Sequence, residues 1–257
     1  MKFAKLKMVA AALAIGFAAQ ANAAIDFGNS GNGELFFNIW DANGSYTLDL
    51  NKTIDAFQAD IAAGGLIDYT YAADATFLSF LSGVVDTSLL KFNLLATDTA
   101  GARRLLTTYT LPLPTPKTND VIRSAATATQ TFIGTVNAVI GSGNSVAVTS
   151  ASAAWAGKPS FKDNAGSLFN FSNAGTLANN SFSSGLSFMR IDAAAGGIAA
   201  SAYNSYADES TAVRVWVDGS NAVHIGAVAA VPEPETYALM LAGLGMIGFM
   251  ARRRRAA

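Results

Sequence analysis

The stretch ELFFNIWDANGSYTLDL, residues 34–50, decides the fold. Two β-prone runs, Glu34–Trp40 and residues 45–50, flank Asp41-Ala42-Asn43-Gly44, whose composition suits a tight turn, so the segment predicts a β-hairpin. Working outward, residues 66–71, 77–81 and 89–97 are further strand candidates. Residues 104–111 follow the turn-like Asp98-Thr99-Ala100-Gly101. Near the other end, residues 212–218 and 222–228 surround Gly219-Ser220-Asn221, a second hairpin. Two stretches have helical spacing instead. Residues 52–63 put Ile54, Phe57 and Ile61 on one face before Gly64-Gly65. Residues 119–140 place Val121, Ala125, Phe132, Val136 and Ile140 near a 3.6 period, after Pro112, Pro114 and Pro116 and before Gly141-Ser142-Gly143. Strands outnumber helices and short turns separate them. The expected class is mainly β: an antiparallel β-sandwich or jelly-roll-like domain with one or two packed helices.

Both ends of the chain depart from this pattern. Lys2, Lys5 and Lys7 precede a twelve-residue apolar stretch over 8–19, and Ala21-Asn22-Ala23 supplies small residues for cleavage, the three parts of a secretory signal. The apolar stretch is too short to span a bilayer. Residues 1–23 are therefore expected to be a signal peptide, handled by the Sec machinery and cut after Ala23. At the other end, residues 237–251 carry no charge and would make a helix about 22 Å long, short of the roughly 30 Å hydrocarbon core. Arg252, Arg253, Arg254 and Arg255 would stay cytoplasmic and leave the rest of the chain outside. Pro232 and Pro234 hold an extended, accessible segment at the membrane's outer side.

That order of Pro232-Glu233-Pro234, a short glycine-containing apolar helix and a terminal arginine cluster resembles the PEP-CTERM sorting signal of Gram-negative bacteria. The resemblance implies that an exosortase, a membrane peptidase, recognises Pro232, Glu233 and Pro234 and removes the tail. The apolar helix and the four arginines would be the retention device. It also implies transient insertion in the inner membrane, then delivery to the cell surface or the extracellular matrix in a setting of exopolysaccharide and biofilm. Three segments follow: 1–23 signal peptide, 24–230 exported domain and 231–257 sorting signal with its short transmembrane helix.

Composition bounds what the exported domain does. Over residues 24–230, ten Lys and Arg face sixteen Asp and Glu, six net negative charges. Nucleic acid is not an expected partner, because binding it needs a positive face. With no cysteine in the chain, neither a thiol nucleophile nor a thiolate metal site exists, and the domain must stand on its core alone.

Catalytic signals are weak. His224, the single histidine, falls in a predicted strand, and no Gly-x-Ser-x-Gly elbow accompanies it. Ser142 fits a helix-ending loop. Asp41-x-Asn43-x-Ser45 is like the start of a calcium loop, but Gly44 and Lys52 stand where that loop needs other residues, so a turn is the expectation. Asp208-Glu209 is expected to solvate a loop. Gly28, Gly31 and Gly33, among Asn and Ser, suit a mobile start. Trp40, Trp155, Trp216, Tyr46, Tyr69, Tyr71, Tyr203 and Tyr206 would offer stacking surfaces to sugar rings if they shared one exposed face. The expectation is a non-enzymatic surface or matrix protein without cofactor or metal. A carbohydrate-binding module and a secreted hydrolase stand as alternatives.

Overall fold

The opening hairpin forms as its sequence predicts, in a computed structural model that describes residues 24–62, 67–158, 175–177, 181, 184–194, 196–206 and 212–228. Strand β1 (Glu34–Trp40) pairs antiparallel with β2 (Gly44–Thr53), Trp40 opposite Ser45 and Phe36 opposite Asp49. Asp41 makes the turn: its Oδ1 accepts the N–H groups of Asn43 and Gly44 at 2.8 and 2.9 Å. Gly44 has no room for a side chain, because a Cβ would lie 2.6 Å from the Val148 carbonyl oxygen of the next strand over.

Helix α1 (Ile54–Ala62) leads to β3 (Asp68–Tyr71) and then α2 (Ala75–Ser82). After a 3-10 turn come β4 (Lys91–Thr97) and β5 (Arg104–Tyr109), then α3 (Asn119–Asn137). The remaining strands are β6 (Ser145–Thr149), β7 (Gly175–Thr176), β8 (Leu186–Asp192), β9 (Ala202–Ser205), β10 (Ala212–Val217) and β11 (Val223–Val228). All join one antiparallel sheet in the order β3-β11-β10-β8-β5-β4-β1-β2-β6, with β7 on β4 and β9 on β8.

The sheet curls into a half-barrel. Strand β3 stands at one end of the order and β2 next to the other, yet their residues meet. Tyr71 Oη donates to the Leu50 carbonyl at 3.2 Å, the Lys52 ammonium sits 4.6 Å from the centre of the Tyr69 ring, and Tyr69 hydrogen-bonds Asp60 of α1. The concave side is dry: alternate residues of β1, β2, β4, β8, β10 and β11 point into it, and Phe57 of α1 and Phe77 of α2 fill it. Phe57 meets Phe188 edge to face at 5.3 Å, and Tyr46 stacks on Phe77 at 4.6 Å. Each such aromatic contributes about 2–3 kcal/mol by leaving water. Asp74 ties α2 to the sheet, accepting the Phe77 N–H at its N-cap and the Tyr46 hydroxyl at 2.9 Å.

On the convex side α3 lies across the sheet's centre. Phe132, Ile133 and Val136 pack on Phe36, Trp40 and Leu95, while Ile122 and Ala125 pack on Leu105, Tyr109, Met189 and Ile191. The first described residues are fastened beneath this helix. Ile25 is buried, its N–H donates to Asn137 Oδ1 at 3.0 Å, and its carbonyl accepts from Asn137 Nδ2 at 2.9 Å.

Several expectations change. The class is mainly β and antiparallel, but among the described residues one curled sheet with three α-helices replaces the two packed sheets of a sandwich or jelly roll. Residues 77–81 belong to helix α2 rather than a strand, because Phe77, Phe80 and Leu81 follow a helical spacing behind the Asp74 cap. Strands β6, β7, β8 and β9 add to the predicted set. In α3 the predicted Ala125, Phe132, Val136 and Ile140 are buried, but Ile122 rather than the half-buried Val121 heads the stripe, and the helix ends at Asn137, before Ile140. The glycine-rich start is pinned: Gly28 is in the left-handed region, φ 65°, and a Cβ there would lie 2.3 Å from the Thr97 carbonyl oxygen. Among the described residues no helix is long and apolar enough to cross a membrane. The predicted signal peptide and transmembrane helix lie outside them.

Candidate functional site

The residues predicted to direct sorting, Pro232, Glu233 and Pro234 with Arg252–Arg255, and the cleavage residues Ala21 and Ala23, lie outside the described residues. So does the pair Asp208-Glu209. What the folded part shows is how its polar side chains are used.

His224 stands in β11 as expected, between two partners. Its Nε2 lies 3.0 Å from Asp218 Oδ2 and its Nδ1 3.0 Å from Thr70 Oγ1, with Trp216 stacked on the ring at 4.9 Å. Hydroxyl, imidazole and carboxylate in line is the order of a nucleophile, a base and an orienting acid. Here the order follows from register. Thr70 and His224 are directly opposed residues of β3 and β11, and Asp218 caps the turn before β11 through the N–H groups of Ser220 and Ala222. Acyl transfer also needs N–H donors aimed where negative charge develops. Strand N–H groups point along the plane of the sheet, whereas the Thr70 hydroxyl stands off its face. The arrangement clamps a hairpin. Hydrogen bonds from the Ser220 hydroxyl, then from His224, hold the Asp218 carboxyl well below the usual carboxylate range.

The aromatic residues do not form one exposed face. Tyr46, Tyr69, Tyr71 and Tyr206 serve the concave core and Trp40 the convex one. Trp155 spends its indole N–H on the carbonyls of Asp41 and Gly44, closing the first turn. Tyr203 packs beside Met189 and Ile191, and Trp216 stands apart with His224. Asp49 is the unusual acid. It is fully buried on β2, its Oδ1 accepts the Asn51 N–H at 2.8 Å, and Oδ2 has no partner among the described residues. Burial pushes its carboxyl up to about 7, the Asn51 N–H opposing and the Glu34 charge adding to the rise.

Sequence reading missed a cationic cleft beside the first turns of α3. Arg104 and Asp98 form one wall of it, held from behind by Asp55 and Gln58. Asp98 is buried and takes the Arg104 backbone N–H, Nε and Nη2, while Nη1 reaches Asp55 and, at 3.0 Å, Gln58 Oε1. Burial works against the Arg104 charge, but the bonds to Asp55 and Asp98 outweigh it and hold its pKa above the ordinary value. Next to this wall a cavity of about 350 Å³ opens between Arg103 and Arg123. One signal was available: Arg103, Arg104, Lys117 and Arg123 crowd into residues 103–123 of an otherwise acidic domain.

Comparison with known protein families matches the PEP-CTERM protein-sorting motif over residues 230–255. Neither the curated proteins nor the solved structures contain a match to the chain. The matched segment contains Pro232-Glu233-Pro234, the uncharged stretch and the four arginines. The chain thus carries at residues 230–255 the PEP-CTERM signal of an exosortase substrate and is an exported protein sorted by that route.

Proposed function

We propose that residues 24–230 form a non-enzymatic component of the cell surface or extracellular matrix, associated with exopolysaccharide in a biofilm. The single observation that carries this reading is the sorting motif over residues 230–255. The Sec machinery exports the chain, and a signal peptidase cuts after Ala23. The uncharged stretch over 237–251 holds the precursor in the inner membrane, with Arg252–Arg255 on the cytoplasmic side as the stop. An exosortase recognises Pro232, Glu233 and Pro234 and removes the tail. The way the domain uses its acids supports a structural rather than catalytic role. Asp41, Asp74 and Asp218 cap turns or a helix, and Asp98 is consumed by Arg104.

Replacing Pro232, Glu233 and Pro234 with alanine tests the reading. The expected result is an uncut precursor that accumulates in the inner-membrane fraction, with a matching loss from the surface and medium. Unchanged release would show that these three residues are not the recognition element. Co-fractionation of the released protein with exopolysaccharide, at levels that fall when the polysaccharide is enzymatically removed, tests the matrix association.

A further inference from the structure

We infer that the cavity between Arg103 and Arg123 is a binding site for a small hydroxylated carboxylate, one sugar-acid ring in size. The inference stands on the cavity's own chemistry and goes beyond the matrix reading above.

The volume, about 350 Å³, lies at the lower end of the range for small-molecule sites, suited to one ring rather than several. Its floor is apolar: Leu105, Ile122, Ala126 and Ala193 are all buried. Its walls are charged. Arg104 is already paired with Asp98 and Asp55, so its charge is compensated without the other groups of the cleft. That leaves the guanidinium groups of Arg103 and Arg123, neither of which has a side-chain partner among the described residues, against the single carboxylate of Asp120. Asp120 Oδ1 is engaged by the Gly197 N–H at 2.9 Å. An anionic group fits between the two arginines, where paired N–H donors give the strongest form of carboxylate recognition.

The hydroxyls on the wall favour a ligand that carries hydroxyls too. Thr99 Oγ1 accepts a hydrogen bond from Gln130 Nε2 at 2.8 Å, so its own proton stays available. Ser124 and Thr127 donate to the carbonyls of Asp120 and Arg123 and keep acceptor lone pairs. A sugar acid matches each element: C–H groups for the apolar floor, a carboxylate for the arginines, and hydroxyls for Thr99, Ser124, Thr127 and Asp120.

Backbone geometry points to the same place. Arg103 is in the left-handed region, φ 53°, where a residue other than glycine or asparagine is strained. Its carbonyl accepts the Ala193 N–H at 3.2 Å and its N–H donates to the Ala100 carbonyl at 3.2 Å, so the strained conformation is fixed from both sides. Arginine is an uneconomical choice for a turn of this kind, and holding a guanidinium at the cavity mouth accounts for it. Behind Arg123, a Cβ at Gly196 would lie 3.0 Å from the guanidinium Nη1.

The test is equilibrium titration of the full chain in detergent with D-galacturonate, D-galactose and inorganic phosphate. Galacturonate is expected to bind, while galactose, the same ring without the carboxylate, binds at least about tenfold more weakly. Arg123→Gln and Arg103→Asn are each expected to weaken galacturonate binding about tenfold at unchanged Tm, Asn being a residue that tolerates φ 53°. Added salt should weaken wild-type binding, a readout that holds even if a variant proves unstable. Binding of phosphate as tight as that of galacturonate would reduce the cavity to a simple anion site and overturn the sugar-acid assignment. Equal binding of galactose, no binding of galacturonate, or insensitivity to both variants and to salt would overturn the site itself.

Discussion

The two hairpins share a sheet and a design, yet they are buried differently. In β1 every residue from Leu35 to Trp40 is buried. In β10 the pattern alternates: Val213, Val215 and Val217 are buried, while Arg214 and Trp216 between them are half-exposed. The difference lies on the convex side, where α3 and Ile25 cover the first hairpin. Sequence carries the same contrast, LFFNIW against VRVWV. A strand apolar on both faces needs two covers. In a sandwich the second cover is another sheet. Here the concave face closes on itself around α1 and α2, and one amphipathic helix covers the other face.

Substitutions at matched positions on the convex face should give unequal losses. Phe36→Ala empties a site packed against Phe132, at 6.1 Å between ring centres, and is expected to cost about 4 kcal/mol. Trp216→Ala removes a larger but half-exposed side chain and is expected to cost about 1 kcal/mol. Chemical denaturation of the two variants measures both, and equal losses would break the comparison.

Asp49 gives the next largest effect, and it depends on pH. Its folded-state pKa, about 7, is raised above an unfolded value of 3.8. Between these values the folded chain binds the extra proton, so stability is highest below about pH 4 and falls as pH rises to about 7. The total is up to about 4 kcal/mol, reached only if Asp49 stays buried when ionised. Asp49→Asn removes the charge and is expected to raise Tm at pH 8 by several degrees while leaving Tm at pH 4 nearly unchanged. A Tm difference between variant and wild type that does not vary with pH would refute this origin.

Where the sequence was legible, local chemistry and burial agreed. Asp41-Ala42-Asn43-Gly44 makes its own turn, Gly219-Ser220-Asn221 follows an Asp that caps it, and α3 begins where the prolines end. Residues 77–81 misled because a five-residue apolar run fits either period, and the deciding group, the Asp74 cap, lies three residues upstream. The curl of the sheet was not legible at all. It brings Tyr71 of β3 to Leu50 of β2, strands far apart in the sheet order, and Tyr69 to Asp60 of α1. For the same reason the sorting tail, contiguous in sequence, could be read directly, whereas the Arg103–Arg123 cavity could not. Its walls come from the β4–β5 turn, α3 and the end of β8, and only the clustering of cations hinted at them.

The smallest effect belongs to the second hairpin's turn and has the opposite pH sign to Asp49. Asp218 accepts hydrogen bonds from the Ser220 and Ala222 N–H groups at 2.8 and 2.9 Å and faces His224 Nε2 at 3.0 Å. Its depressed pKa means that its stabilisation is present above the unfolded carboxylate value, about 4, and is lost as pH falls through the folded one. Asp218→Ala should therefore cost about 1 kcal/mol at pH 7, kept small by solvent screening at a partly open site. That cost should stay constant down to about pH 4 and shrink only below it, where the gain from protonating wild-type Asp49 is already complete. Thermal melts of Asp49→Asn, Asp218→Ala and the double variant between pH 3 and 8 would separate the two. The sites lie on different hairpins with no shared partner, so their effects should add. A double variant departing from additivity by more than about 0.5 kcal/mol would mean that the covered and open hairpins are coupled through the strands between them rather than independently stabilised.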